Sequence, residues 1–301
     1  MTQIIAEIGL SHEGSLNHAH AMLAAAADAG AAGVKFQIHD YEEGTADETF
    51  RRPWSRYDET RREYWSRTGF NAWMWSGLRS HARELGLAFG ASVFSVDSAA
   101  LLRDLGPDFW KVSAGMVAHG PLLDYIASVR GNTPVYVSAG LADAEALETA
   151  MQKLGPGGVV LHCVSEYPTP HDRAAWSRRH ALRVLAYDYG WTLGLSDHSG
   201  TIWPGLLACA ERDAVVECHV CFDRAQGGPD APASLTFAEL STLCQGAATL
   251  HTLQTASGEW ARPAHAASYE PCWVQEGGRW VVRKTNGKGI PASQPCPGEA
   301  A

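Results

Sequence analysis

Residues 4–14 read Ile4-Ile5-Ala6-Glu7-Ile8-Gly9-Leu10-Ser11-His12-Glu13-Gly14, an apolar strand running into a polar turn bounded by glycines. A dinucleotide-binding sheet would place a Gly-x-Gly-x-x-Gly turn here and an acidic residue further on for the ribose. Gly9-Leu-Ser-His-Glu-Gly14 is not that turn, and no acidic residue stands where a ribose would need one. Seven more β-branched runs follow, at Gly33–Gln37, Leu87–Ser92, Phe109–Val112, Val135–Ser138, Gly158–His162, Thr192–Leu195 and Val215–Glu217. Helical patterns separate them, among them Ala19–Ala29, Trp73–Glu84, Ala99–Leu105, Pro121–Val129, Ala144–Lys153 and Pro204–Glu211. Strands and helices in alternation mark repeated βα units. Eight of them predict an α/β fold closed into a (β/α)8 TIM barrel, with an open Rossmann sheet as runner-up.

Two stretches break the alternation. Asp40 to Phe70 is dense in Arg, Glu, Trp and Tyr, and reads as a loop with short helices over the barrel mouth, or as a passive surface excursion. Beyond Gly258 the helical period is lost. Cys272-Trp-Val-Gln, Glu276-Gly-Gly and Arg279-Trp-Val-Val-Arg alternate and turn like a β-hairpin. The expected organisation is a catalytic barrel over 1–258 and a short C-terminal extension over 259–301, too small for a domain of its own.

The chain has 301 residues, 46% of them hydrophobic, enough for one sizeable core. No apolar run approaches the roughly 20 residues of a membrane span, and no basic stretch precedes an apolar one at the N-terminus. A net charge of -9 argues against a broad nucleic-acid surface, though a pocket can still be locally positive. Seven cysteines, an odd number in loose spacing with only Cys218 and Cys221 close together, suit free thiols in a reducing compartment. A cytoplasmic enzyme is the expectation.

Barrel chemistry sits at the carboxyl ends of strands. Those ends here carry Glu7 with His12 and Glu13; Lys35 and Gln37; Ser92; Lys111 and Ser113; Ser138; His162 and Ser165; Ser196, Asp197 and His198; and Glu217 and His219. A serine at such a position often only caps the next helix, and a lysine there is usually solvated. Two lysines turned into a barrel mouth need an anionic partner to offset desolvation, and a phosphate or carboxylate would supply one. His198 and His219 end consecutive strands about 5 Å apart, so both imidazoles can meet one metal. A two-histidine site leaves positions open for water and substrate oxygen. Nitrogen and oxygen ligands without thiolate suit Mn²⁺, Mg²⁺, Co²⁺ or Zn²⁺.

Several stretches together resemble the N-acetylneuraminate (sialic acid) synthases and their relatives for other nonulosonic acids. They are Ala6-Glu-Ile-Gly-Leu-Ser-His-Glu-Gly-Ser, Ala29-Gly-Ala-Ala-Gly-Val-Lys-Phe-Gln, Trp110-Lys-Val-Ser-Ala-Gly, Leu161-His-Cys-Val-Ser-Glu-Tyr-Pro-Thr-Pro, Gly194-Leu-Ser-Asp-His-Ser and Glu217-Cys-His, with Gly228-Pro-Asp-Ala-Pro-Ala-Ser behind. The resemblance implies a phosphoenolpyruvate-condensing transferase that takes the open-chain aldehyde of an N-acetylated hexosamine. It implies that Lys35, Lys111, Ser92, Ser138, Ser165 and Ser196 hold phosphoenolpyruvate, with Ser113 and Glu217 beside them. It gives His198 and His219 the metal, Mn²⁺ first among the possibilities. Gln37, Tyr167 and Asp230 would line the acceptor side, and Glu13 would handle the proton of the attacking water.

Three departures bear on the acceptor. Met116 stands where the family commonly has a sugar-touching glutamate, and Ala114 where it usually has a serine. The family's C-terminal antifreeze-like domain, which carries an arginine across a dimer, has no counterpart in the pattern. A homodimer is still an expectation of the resemblance. An arginine of the 40–70 loop, from Arg51, Arg52, Arg56, Arg61 and Arg62, is expected to approach the acceptor pocket instead. The tail residues Trp273, Trp280, Arg283, Lys284 and Lys288 are a second possible cover. The alternatives are another phosphoenolpyruvate-using barrel synthase with a non-sialic acceptor, and an inactive barrel kept as a binding protein.

Overall fold

The eight apolar runs form parallel strands in sequential order, and the last pairs back onto the first, closing the sheet. The protein's computed structural model describes residues 1–39, 57–256 and 271–284, the last stretch mainly as backbone. Contacts divide the chain into Met1–Gln254 and Thr255–Ala301.

In the first unit β1 (Gln3–Gly9), α1 (Leu16–Asp28), β2 (Gly33–Ile38), α2 (Arg61–Thr68), α3 (Ala72–Glu84), β3 (Ala88–Val93), α4 (Val96–Leu105) and β4 (Phe109–Val112) build one half of the barrel. Then α5 (Gly120–Val129), β5 (Val135–Ser138), α6 (Ala144–Leu154), β6 (Val159–Cys163), α7 (Arg179–Asp188), β7 (Thr192–Asp197), α8 (Trp203–Ala210) and β8 (Val215–Cys221) build the other. A two-residue strand, β9 (Leu235–Thr236), adds to β8, and α9 (Phe237–Thr255) follows. The observed β8 runs four residues past the Glu217 that the sequence pattern suggests, because Cys218 and Val220 continue the outward apolar phase.

Two apolar layers hold this together. One lies between strands and helices, from Ile4, Val34 and Phe36 to Leu240 and Leu243. The other fills the bottom of the barrel interior with Ile5, Phe109, Tyr136, Val159, Leu161 and Val215, the layered packing a closed barrel needs. Phe109 stacks on Tyr136 with centroids 4.7 Å apart. Gly90 makes room for it, since a Cβ there would lie 2.3 Å from the Phe109 ring. The floor is thus plugged with apolar side chains, and polar residues are left to the top.

In the second unit β10 (Pro271–Glu276) pairs antiparallel with β11 (Arg279–Lys284). Gly277 and Gly278 both have positive φ, 58° and 83°, which a two-residue hairpin turn demands. The expected hairpin is therefore present. Among the described residues no helix is long and apolar enough to cross a membrane.

Candidate active site

Parallel register puts the polar strand ends side by side. Glu7 pairs with Lys35 and with His219 across the β1 seams, Gln37 with Ser92, Ser92 with Lys111, and Ser196 with Glu217. They surround a cavity of about 480 Å³ at the carboxyl ends of the strands.

Its floor is ionic. Lys35 is 2% exposed and Lys111 3%. Lys35 Nζ lies 2.7 Å from Glu7 Oε1 and donates to Ser92 Oγ at 2.8 Å. Lys111 Nζ donates to Glu217 Oε1 at 3.1 Å, and Ser196 Oγ donates to the same oxygen at 3.0 Å. The anions that these lysines require are thus supplied in part by the chain itself. The two carboxyls differ in ionisation. Burial raises the Glu7 pKa, and Lys35 only partly opposes that. Burial also acts on Glu217, but Lys111 and Lys35 together overcome it and bring its pKa down to about 2. Glu217 is thus held ionised, whereas on Glu7 burial and Lys35 pull in opposite directions, burial being the larger. Glu7 Oε2, Glu217 Oε2 and Ser138 Oγ are buried without a hydrogen-bond partner.

On the opposite strands the imidazoles of His198 and His219 lie with centroids 5.5 Å apart. His198 Nδ1 donates to the Val164 carbonyl at 2.8 Å, which leaves Nε2 as the lone-pair nitrogen. Burial lowers the His198 pKa to about 3, with His219 adding to the effect, so the ring is neutral. His219 Nδ1 is buried without a hydrogen-bond partner and lies 3.8 Å from Asp230 Oδ2. Among the described residues no three His, Cys, Asp or Glu side chains surround one point. The His198 and His219 ring nitrogens are the donors a divalent cation would meet here, with water or substrate oxygen completing its shell.

The remaining wall comes from α2, whose capping box of Thr60 and Glu63 starts the helix. Its Arg61, Tyr64 and Trp65, spaced i, i+3, i+4, all line the cavity. Among the described arginines of this loop Arg61 lines the cavity; Arg51, Arg52 and Arg56 lie outside the described residues. Arg67 docks the helix on the β1 turn. It bonds both Asp58 oxygens, the Glu13 carboxylate at 2.8 Å and the Glu13 carbonyl at 2.9 Å. His39 is stacked between Trp65 and Phe94, with centroids 4.3 and 4.0 Å away.

Every residue to which the resemblance gave a role lines the cavity except Glu13; of the wider strand-end set, His12, His162 and Asp197 are not in the lining either. Glu13 has φ 52°, a left-handed conformation, and its carboxylate is held by Arg67 and by the Tyr64 hydroxyl at 3.3 Å. Glu7, of the strand-end set, and Tyr64 and Trp65, of the 40–70 loop, also line the cavity, as do His39, Phe94 and Cys163, which the sequence reading did not single out. The signal for His39 was in reach, because 35, 37 and 39 share one strand phase. Ala114 lines the wall, while Met116 packs against the core. Lys288 lies outside the described residues, as do the side chains of Trp273, Trp280, Arg283 and Lys284.

Fold and site together define an eight-stranded βα barrel with an ionic, imidazole-bearing pocket at the strand ends. More particularly, residues 22–260 match the sequence profile of the NeuB family, and the chain belongs to that family. It is 30% identical to the N,N'-diacetyllegionaminic acid synthase of Campylobacter jejuni, over 87% of this chain and 79% of that one. It is 29% identical to the N-acetylneuraminate-9-phosphate synthase of Mus musculus, over 80% of this chain and 67% of that one. The N-acetylneuraminic acid (sialic acid) synthetase of Leptospira borgpetersenii, solved with citrate, superposes with a TM-score of 0.74 at 28% identity, covering 87% of this chain and 88% of that one.

Proposed function

We propose that this chain joins phosphoenolpyruvate to a sugar aldehyde, giving a 3-deoxy-2-keto sugar acid of the nonulosonic type and inorganic phosphate. The observation that carries this reading is the buried pair Lys35 and Lys111, set among Ser92, Ser138, Ser165 and Ser196 in one cavity. Two ammonium groups and several hydroxyls match a ligand with a phosphate and a carboxylate. The names of the relatives, synthases of legionaminic and neuraminic acids, support it.

The lysines and serines hold phosphoenolpyruvate with carbon 3 toward the aldehyde. As carbon 3 attacks, the proton on Glu7 passes to the aldehyde oxygen, and positive charge develops at carbon 2. Water adds at carbon 2 and returns a proton to Glu7. The hemiketal phosphate then loses phosphate by C–O cleavage, its hydroxyl proton leaving with the phosphate. Glu217, ionised throughout, stabilises the cationic stage and keeps Lys111 in place. A divalent cation on His198 and His219, Mn²⁺ by preference, would polarise the aldehyde. Gln37, Tyr167, Asp230, Arg61 and Trp65 face the acceptor. The same reading puts the chain in the cytoplasm, where buried thiols such as Cys163 and Cys209 stay reduced.

The test is release of phosphate from phosphoenolpyruvate by the Mn²⁺-supplemented protein across a panel of acetamido and plain aldoses. Acceptor-dependent release with a new 2-keto acid supports the reading. Binding of phosphoenolpyruvate with no turnover on any aldose would leave a barrel that only binds, and the proposal would be wrong.

A further inference from the structure

One turn grips His198 from both sides. The Val164 carbonyl takes the proton-bearing Nδ1 at 2.8 Å, and three residues on the Tyr167 hydroxyl lies 2.9 Å from Nε2. Beyond it, the Thr169 amide donates to the His198 carbonyl at 2.9 Å, and Thr169 Oγ1 bonds the Glu166 carbonyl at 2.6 Å. The backbone of the turn is therefore fixed to the histidine, and the tautomer is fixed with it. With Nδ1 committed as a donor, Nε2 is the one nitrogen of this ring that can give a lone pair to a cation, and the Tyr167 hydroxyl donates into that lone pair.

The tyrosine is held at the metal site by little else. Its ring lies on the His198 imidazole at 4.1 Å and edge-on to His219 at 5.9 Å. Yet 46% of the residue is exposed, so a path outward is open without moving the core. A hydroxyl hydrogen and a divalent cation cannot occupy one lone pair together.

We propose that Tyr167 is a displaceable cap on the metal site: its hydroxyl holds the His198 Nε2 lone pair until a divalent cation takes it. The side chain then turns away, and its freed hydroxyl becomes available on the acceptor side of the pocket. This rests on the two-histidine metal reading proposed above. It adds that the cation competes with a residue of the protein, so that affinity is set partly by the bond it must break.

The test is Mn²⁺ affinity, read from the free-ion resonance in electron paramagnetic titrations of the full chain and of Y167F. Phenylalanine keeps the ring but removes the hydroxyl, so the metal-free state loses the bond and the loaded state loses nothing. Y167F is expected to bind Mn²⁺ more tightly, about three- to tenfold for one hydrogen bond. Equal or weaker binding by Y167F overturns the proposal. A second readout follows the Tyr167 ring itself, by ¹³C-tyrosine resonances assigned through their loss in Y167F, on titration with diamagnetic Zn²⁺. The Tyr167 signal should move as the cation binds; a cation bound with that signal unmoved also overturns the cap. The metal reading has its own control in H219A. If the wild-type chain binds no better than H219A, the two-histidine site is what fails, and the cap falls with it.

Discussion

The two sides of the pocket are built differently. The side proposed for phosphoenolpyruvate is made of strand ends locked in parallel register, with Lys35, Lys111, Glu7 and Glu217 all buried. Each of those groups is fixed by the barrel's own hydrogen bonding. The side proposed for the acceptor is made largely of the segment between β2 and β3: α2 leans on the barrel through Arg67 and offers Arg61, Tyr64 and Trp65. The difference teaches where such an enzyme can vary. A buried ion network tolerates no partial change, because removing one member strands another charge. A half-exposed helix docked chiefly by Arg67, Tyr64 and Trp65 can be re-sculpted on its other positions without touching the chemistry.

The largest effect should come from the lysines. K35M and K111M are expected to lower kcat/KM for phosphoenolpyruvate by at least about 10²–10³, as loss of a charge-stabilising donor does. The acceptor KM should change far less. Equal losses on both substrates, measured by phosphate release at varied concentrations of each, would mean that the two sides are not separable.

Next come the two carboxyls that the chemistry divides. E7Q keeps the shape but removes the proton carrier, and kcat should fall about 10²-fold. Because burial raises the Glu7 pKa, its protonated form prevails at low pH and is lost as pH rises through that raised value. Wild-type kcat should therefore decline on the alkaline side, and E7Q should flatten that limb. E13Q should act on the acceptor KM through Arg67 and leave the limb intact. An unchanged limb in E7Q and a vanished one in E13Q would return the proton to Glu13.

The split between the two sides also decides what the sequence shows. Lys35, Lys111, Ser92 and Ser196 are legible because strand alternation fixes which residues face inward, and a closed barrel brings all strand ends to one rim. Arg61, Tyr64 and Trp65 obey helical spacing, but that shows only that they share a face, not what the face meets. Glu13 stands behind the cavity lining for a conformational reason. Its positive φ and that of Gly14, 81°, turn the chain so that the carboxylate meets Arg67, and no composition pattern announces a left-handed glutamate. Glu7 carries the opposite lesson. It stands in the strand-end set, but only the register, Glu7 against Lys35 and His219, shows why its burial matters.

On the acceptor side the expected effects are smaller. R61A should raise the acceptor KM about tenfold, the worth of one hydrogen bond to a charged group. Its effect on phosphoenolpyruvate should be slight. R62A, on the exposed face of the same helix, is the control and should stay within about twofold, since surface changes are mild. R67A should give an acceptor KM rise of a few fold together with a lower Tm, because the docking of α2 is lost. Native acceptor kinetics in both R61A and R67A would show that α2 is scenery.

The smallest effect tests the phosphoenolpyruvate side at its most delicate point. Ser138 ends β5, lines the cavity and is 2% exposed, yet its Oγ has no hydrogen-bond partner. A buried hydroxyl without a partner costs stability, on the order of 1–3 kcal/mol when nothing satisfies it. It is tolerable if a ligand atom completes it during turnover, which is the pattern of a site kept strained for function. Ser92 differs, since its hydroxyl already accepts from Lys35. S138A should therefore leave Tm unchanged or raise it, while the phosphoenolpyruvate KM rises about two- to tenfold for one lost hydrogen bond. S92A should instead lower Tm, because Lys35 loses a partner. The opposed signs for two serines of one cavity are the informative part: a purely structural Ser138 would lose stability on truncation and leave the KM where it was.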